Sequence, residues 1–70
     1  MIDRVLQVTR KMTNDLKTME NNAQVILNEL EDLEGVSFAE RKTKELIKDL
    51  KELRGDLDDL EHVVLAEGIR

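Results

Sequence analysis

Cysteine and proline are absent from this chain of 70 residues, as are tryptophan and tyrosine. Histidine, serine and phenylalanine occur once each, at His62, Ser37 and Phe38. Each absence excludes something. Without cysteine there is no disulfide and no thiolate metal site. With one histidine there is little room for an imidazole-based centre. The only serine sits where a helix would be capped, so a Ser/His or Cys/His nucleophile has no foothold. The three glycines, Gly35, Gly55 and Gly68, are isolated from one another, so no glycine-rich phosphate loop can form. No apolar run approaches the ~18 residues of a membrane span, and the opening "MIDRVLQVTR" lacks the apolar stretch of a secretory signal. These observations lead us to expect a non-enzymatic protein in a cytoplasmic setting, with no cofactor and no metal.

What is present is helix-forming. Charged residues make up 39% of the chain and apolar residues 40%, the latter mostly Leu, Ile, Val and Met. That is too apolar for a disordered chain and favours long helices. At this size one core stabilises only weakly, and with disulfide and thiolate metal sites excluded, oligomerisation or a partner chain is the expected supplement. The net charge of −5 disfavours general electrostatic capture by nucleic acid or anionic lipid.

Alternating steps of three and four from Ile2 land on Ile2, Val5, Thr9, Met12, Leu16, Met19, Ala23, Ile26, Leu30 and Leu33. Nine of these ten are apolar, where composition alone predicts about four. The same walk from Ala39 gives Ala39, Thr43, Leu46, Leu50, Leu53, Leu57, Leu60, Val64 and Glu67, of which seven of nine are apolar. Ile2, Thr9, Leu16, Ala23 and Leu30 are a positions of a heptad, and Val5, Met12, Met19, Ile26 and Leu33 are d positions. In the second run Thr43, Leu50, Leu57 and Val64 are a; Leu46, Leu53, Leu60 and Glu67 are d. A sustained seven-residue repeat implies coiled-coil-like packing along one seam.

The second run starts one residue early relative to the first, so the helix is interrupted between them. "LEGVSFAER", residues 33 to 41, supplies the interruption. Gly35 suits the left-handed conformation that ends a helix. Ser37 and Glu40 have the S-x-x-E spacing of a capping box that starts the next one. The reading is an all-α antiparallel two-helix hairpin with helices over 2–34 and 38–66 and a turn at 35–37. Charge supports the antiparallel sense: residues 1–20 carry +1 against −3 on 51–70, and 21–34 carry −4 against +1 on 37–50. An opened, domain-swapped pair would satisfy the same signals.

In this register Met12 faces Leu60, Leu16 faces Leu57, Met19 faces Leu53, Ala23 faces Leu50 and Ile26 faces Leu46. Thr9, a polar seam residue, is expected to bond to its own helix backbone. Two helices cannot surround such a seam. Leu6, Leu27 and Ile47 at e, with Val8 and Val63 at g, widen it toward the face of a four-helix bundle, completed by a second copy (a homodimer) or another helical protein. Val25 with Phe38, and Leu65 with Ile69, suggest two smaller clusters at the ends. The interface is expected to use Leu16, Met19, Ile26, Leu27, Leu30, Leu46, Ile47, Leu50, Leu53, Leu57 and Leu60.

Two charged stretches carry rival readings. "ERKTKELIKDLKELR" offers Arg41, Lys44, Lys48 and Lys51 as a phosphate-contacting strip, as in nucleic-acid-binding bundles of the ROP type, an analogy of fold alone. "DLDDLEH" offers Asp56, Asp58, Asp59 and Glu61 as the surface of an acidic inhibitor that would occupy a partner's basic site. Asp58, Asp59 and His62 also have helical metal-ligand spacing. With Leu57 and Leu60 turned inward these three point outward, and no second such pair exists, so a solvated acidic face is the expected role.

Overall fold

A computed structural model of the chain describes residues 2–68 and consists of two helices, α1 (Ile2–Glu31) and α2 (Ser37–Gly68), packed side by side. The expected all-α hairpin is what forms. The molecule is a rod, with Cα extents of 56 × 14 × 11 Å.

The turn follows the local chemistry, with two adjustments. Gly35 has a φ of 76°, the left-handed region that a Cβ would disfavour, as the sequence predicted. The helix ends earlier than residue 34, however. Asp32 N–H donates to the Glu29 carbonyl at 3.3 Å and Leu33 N–H to the Leu30 carbonyl at 3.0 Å. These three-residue bonds tighten the last turn of α1 and satisfy carbonyls left without partners. At the start of α2, the Glu40 amide donates to the Val36 carbonyl at 2.9 Å. Val36, not Ser37, is therefore the capping residue, and Ser37 lies within the first turn. The capping-box spacing marked the right place by the wrong residue.

The seam differs from the expectation in one systematic way. All of its a positions on α1 are buried or half-buried, as are Thr43, Leu50, Leu57 and Val64 on α2. Its second row is e: Leu6, Glu20 and Leu27 are buried and Thr13 half-buried, facing the half-buried Ile47, Arg54 and Glu61. The d residues expected to form facing layers, Met12 with Leu60, Met19 with Leu53 and Ile26 with Leu46, make no buried layers; each is 45–50% exposed. The Leu16/Leu57 and Ala23/Leu50 layers do form and, with Ile47 against them, make the core. The physical reason is width. The apolar arc from e through a to d and g spans about 160° of each helix, and one neighbouring helix covers only part of it.

The seam threonines are satisfied locally. Thr9 Oγ1 donates to the Val5 carbonyl at 2.7 Å, Thr13 to Thr9 at 3.0 Å and Thr43 to Ala39 at 2.8 Å. Each threonine thus bonds its own helix, as expected for Thr9. Ion pairs fix the register: Arg10 Nε lies 3.2 Å from Glu61 Oε1, and Arg54 Nη1 lies 3.0 Å from Glu20 Oε2. The second pair is poorly aligned for a hydrogen bond, so the buried Glu20 oxygen is matched by charge but receives no directed donor. Val25 and Phe38 are exposed and form no cluster; the Phe38 ring instead lies under the Arg41 guanidinium, 5.2 Å from centroid to Cζ. Ile69 lies outside the described residues. Among the described residues no helix is long and apolar enough to cross a membrane.

Candidate interaction surface

The displaced d residues assemble a surface. On a helix that advances 100° per residue, e lies about 40° to one side of a, and d about 60° to the other. A seam centred between a and e therefore leaves d on the flank of each helix. Because α1 and α2 run in opposite directions while facing each other, the order of positions is mirrored across the seam. The d flanks of both helices consequently fall on the same side of the rod. Val5, Met12, Met19 and Ile26 of α1 and Leu46, Leu53 and Leu60 of α2 lie 44–50% exposed along that side. At the open end Val5 and Glu67, both d residues of opposite helices, line one shallow groove with Ile2 and Val64. Val8 and Val63, at g, extend the stripe there; both are exposed.

Thus the expected interface residues divide. Leu16, Leu27, Leu50 and Leu57 are buried inside the hairpin, and Leu30 and Ile47 are half-buried beside them. Met19, Ile26, Leu46, Leu53 and Leu60 are half-exposed on the open stripe. Glu20, Arg54 and Glu61 are seam residues that the apolar repeat does not reveal. Their signal was available only as e positions of opposite charge at matching heights, 20 against 54.

The charged side chains of α2 are partly sorted by side. Five acidic residues, Glu45, Asp49, Glu52, Asp56 and Asp59, occupy c and g, the edge next to the stripe, and all are exposed; Asp58 lies at b, Glu40 and Glu61 at e, and Glu67 at d. Arg41, Lys44, Lys48 and Lys51 occupy b and f, on the far side, and are exposed as well. Arg41 is held over Phe38, and neighbouring Lys42 lies 3.5 Å from Glu45. Asp58 and Asp59 are exposed, and His62 Nδ1 stands 3.9 Å from Asp58 Oδ2 on the solvent side. Among the described residues no three metal-ligating side chains converge.

Comparison of the chain with known protein families, with curated proteins and with solved structures finds no match.

Proposed function

We propose that the protein is a non-enzymatic interaction module, half of a four-helix bundle that completes itself by association through the d stripe. The observation that carries this reading is the row of seven large apolar side chains left about half exposed on one side of a rod whose own core is a single seam. Monomeric soluble proteins seldom expose so continuous an apolar surface unless something docks on it. The broad side of the rod, 56 by 14 Å between Cα extremes, offers about 800 Å², the area each partner contributes to a standard interface. Its central residues are Leu and Met rather than charged groups, as in the core of an interface.

Sedimentation equilibrium with circular dichroism over a dilution series tests this. The expected result is a helical species of twice the 8.1 kDa chain mass that melts at lower temperature as it is diluted. A stably helical monomer at all concentrations would overturn the reading.

A second reading, phosphate binding, is favoured by one observation: Arg41, Lys44, Lys48 and Lys51 gather at the b and f positions of α2, about 100° round the helix from its acidic c and g edge. It predicts retention of RNA at low salt that weakens steeply as salt rises. The chain's net charge of −5 weighs against it, and the stripe remains the stronger feature.

A further inference from the structure

Resting on the reading of the stripe as a self-association surface, we infer that a second copy of this chain docks there with its turn at the same end, the two-fold axis running parallel to the helices.

Two face-to-face arrangements bury both stripes. With the axis along the rod, α1 of one copy lies beside α2 of the other, and symmetry keeps the two copies level. With the axis across the rod, the turns lie at opposite ends and each helix meets its own counterpart. The choice is decided by the c and g residues that edge the stripe. On α2 one lysine, Lys42, stands against five carboxylates, which leaves −4; on α1 Arg4 and Lys11 balance Asp15 and Glu29. Crossing the axis sets −4 against −4 along one edge of the bundle. Aligning it sets each acidic edge against a neutral one, and like charges face each other far less.

Registers agree with the aligned arrangement. Inside the hairpin, Leu16 packs with Leu57 and Ala23 with Leu50. The same heights apply between level copies, so Val8 comes opposite the partner's Val63 and Glu29 opposite the partner's Lys42. Asn22 meets the partner's Asp49. The single like-charged encounter, Asp15 with the partner's Asp56, is relieved by Lys11, whose Nζ donates to Asp15 Oδ2 at 2.9 Å. In the crossed arrangement Val8 and Val63 lie at opposite ends from their partner copies and no longer meet, and with the axis near the middle of the stripe Asp49 meets the partner's Asp56.

The absence of cysteine allows a direct test. Spin labels are placed singly on Asp3→Cys at the open end and on Glu34→Cys at the turn, both exposed and off the stripe, and distances between copies are read by pulsed dipolar spectroscopy. The aligned dimer gives about 30 Å or less at both positions, since labels stay at one height across a bundle of helices 8–10 Å apart. Crossed stacking gives about 50 Å at both, because 1.5 Å per residue separates opposite ends, and overturns the inference while sparing self-association. A domain-swapped pair gives a short distance at residue 34 and a long one at residue 3, and overturns it too. No intermolecular distance at either position, with a monomer mass, overturns the inference and the proposed function together. As a second variant pair, Glu29→Lys and Lys42→Glu each weaken association several-fold and the two combined restore it; failure of that restoration overturns the facing of these edges.

Discussion

The a and d rows of this hairpin are both largely apolar and have opposite fates. Leu16, Ala23, Leu50 and Leu57 are 3–7% exposed, while Met19, Ile26, Leu46 and Leu53, each at d in the same repeats, are 45–50% exposed. Composition does not distinguish them. Geometry does: a helix in contact with one neighbour shields an arc narrower than the one this sequence makes apolar. The seam holds two helices together, and the stripe is the apolar remainder. A chain selected only to fold as a hairpin would gain from leucines at d only the burial of about half of each side chain, at a cost in solubility. The stripe is therefore read as surface built for contact.

Aspartate at the two leucines that best represent the two sides breaks the comparison most sharply. Leu50→Asp places a carboxylate in the core layer with Ala23, with no partner for its charge. It is expected to cost several kcal/mol, comparable to the whole stability of so small a fold, and to abolish the helical signal at every concentration. Leu53→Asp places the same group on the stripe. The seam stays intact, and the effect falls on association: two buried carboxylates per dimer weaken it by at least about a hundredfold, at 1.4 kcal/mol per tenfold. The checks are far-ultraviolet circular dichroism for the first and sedimentation for the second. Equal loss of helix in both variants would show that seam and stripe are one cooperative core; unchanged association in Leu53→Asp would remove the stripe from the interface.

The charged residues of the seam offer a finer division. Glu20 is buried and, among the described residues, Arg54 is the one cation paired with it, at 3.0 Å but poorly aligned. Removing the arginine by Arg54→Ala leaves the carboxylate buried and unpaired, for a loss of about 1–2 kcal/mol, discounted because the arginine itself is 38% exposed. Replacing both by leucine is expected to be neutral or to stabilise by up to about 2 kcal/mol, since it ends the desolvation of a poorly bonded pair. Urea midpoints of the single and double variants check this; a neutral Arg54→Ala would mean that the pair contributes nothing to the seam.

These residues also mark where the sequence stops being readable. The turn was readable because its cause is local: Gly35 has no Cβ, and a left-handed residue there ends α1 whatever packs elsewhere. Half the seam was readable too, since a positions are inward in any packing of this repeat. The other half was not. Leu6, Leu27 and Ile47 at e compete with Met12, Met19 and Leu53 at d, and only the relative rotation of two helices selects between them. That rotation is a property of the pair, to which charged e residues such as Glu20 and Arg54 contribute, and no count of apolar residues along one helix contains it. The same holds for the interface. The heptad repeat contains the leucines and methionines expected to carry association, but which of them face the other helix of the same chain and which face outward depends on the fold.

The smallest prediction separates helix formation from both surfaces. Gly55 lies inside α2 at an f position, about 120° from the centre of the seam and turned away from the stripe. A Cβ built on it would meet nothing within 4 Å. Glycine inside a helix costs about 0.5–1 kcal/mol relative to alanine, because its unfolded backbone is freer. Gly55→Ala should therefore raise the unfolding free energy by about 0.5–1 kcal/mol, read as a higher urea midpoint. Because the residue touches neither helix neighbour nor the proposed docking face, its effect should add to that of Leu53→Asp without altering the dissociation constant of the proposed dimer between folded copies. A change in that constant would place residue 55 at an interface and require a second docking side, the one on which Lys48 and Lys51 lie.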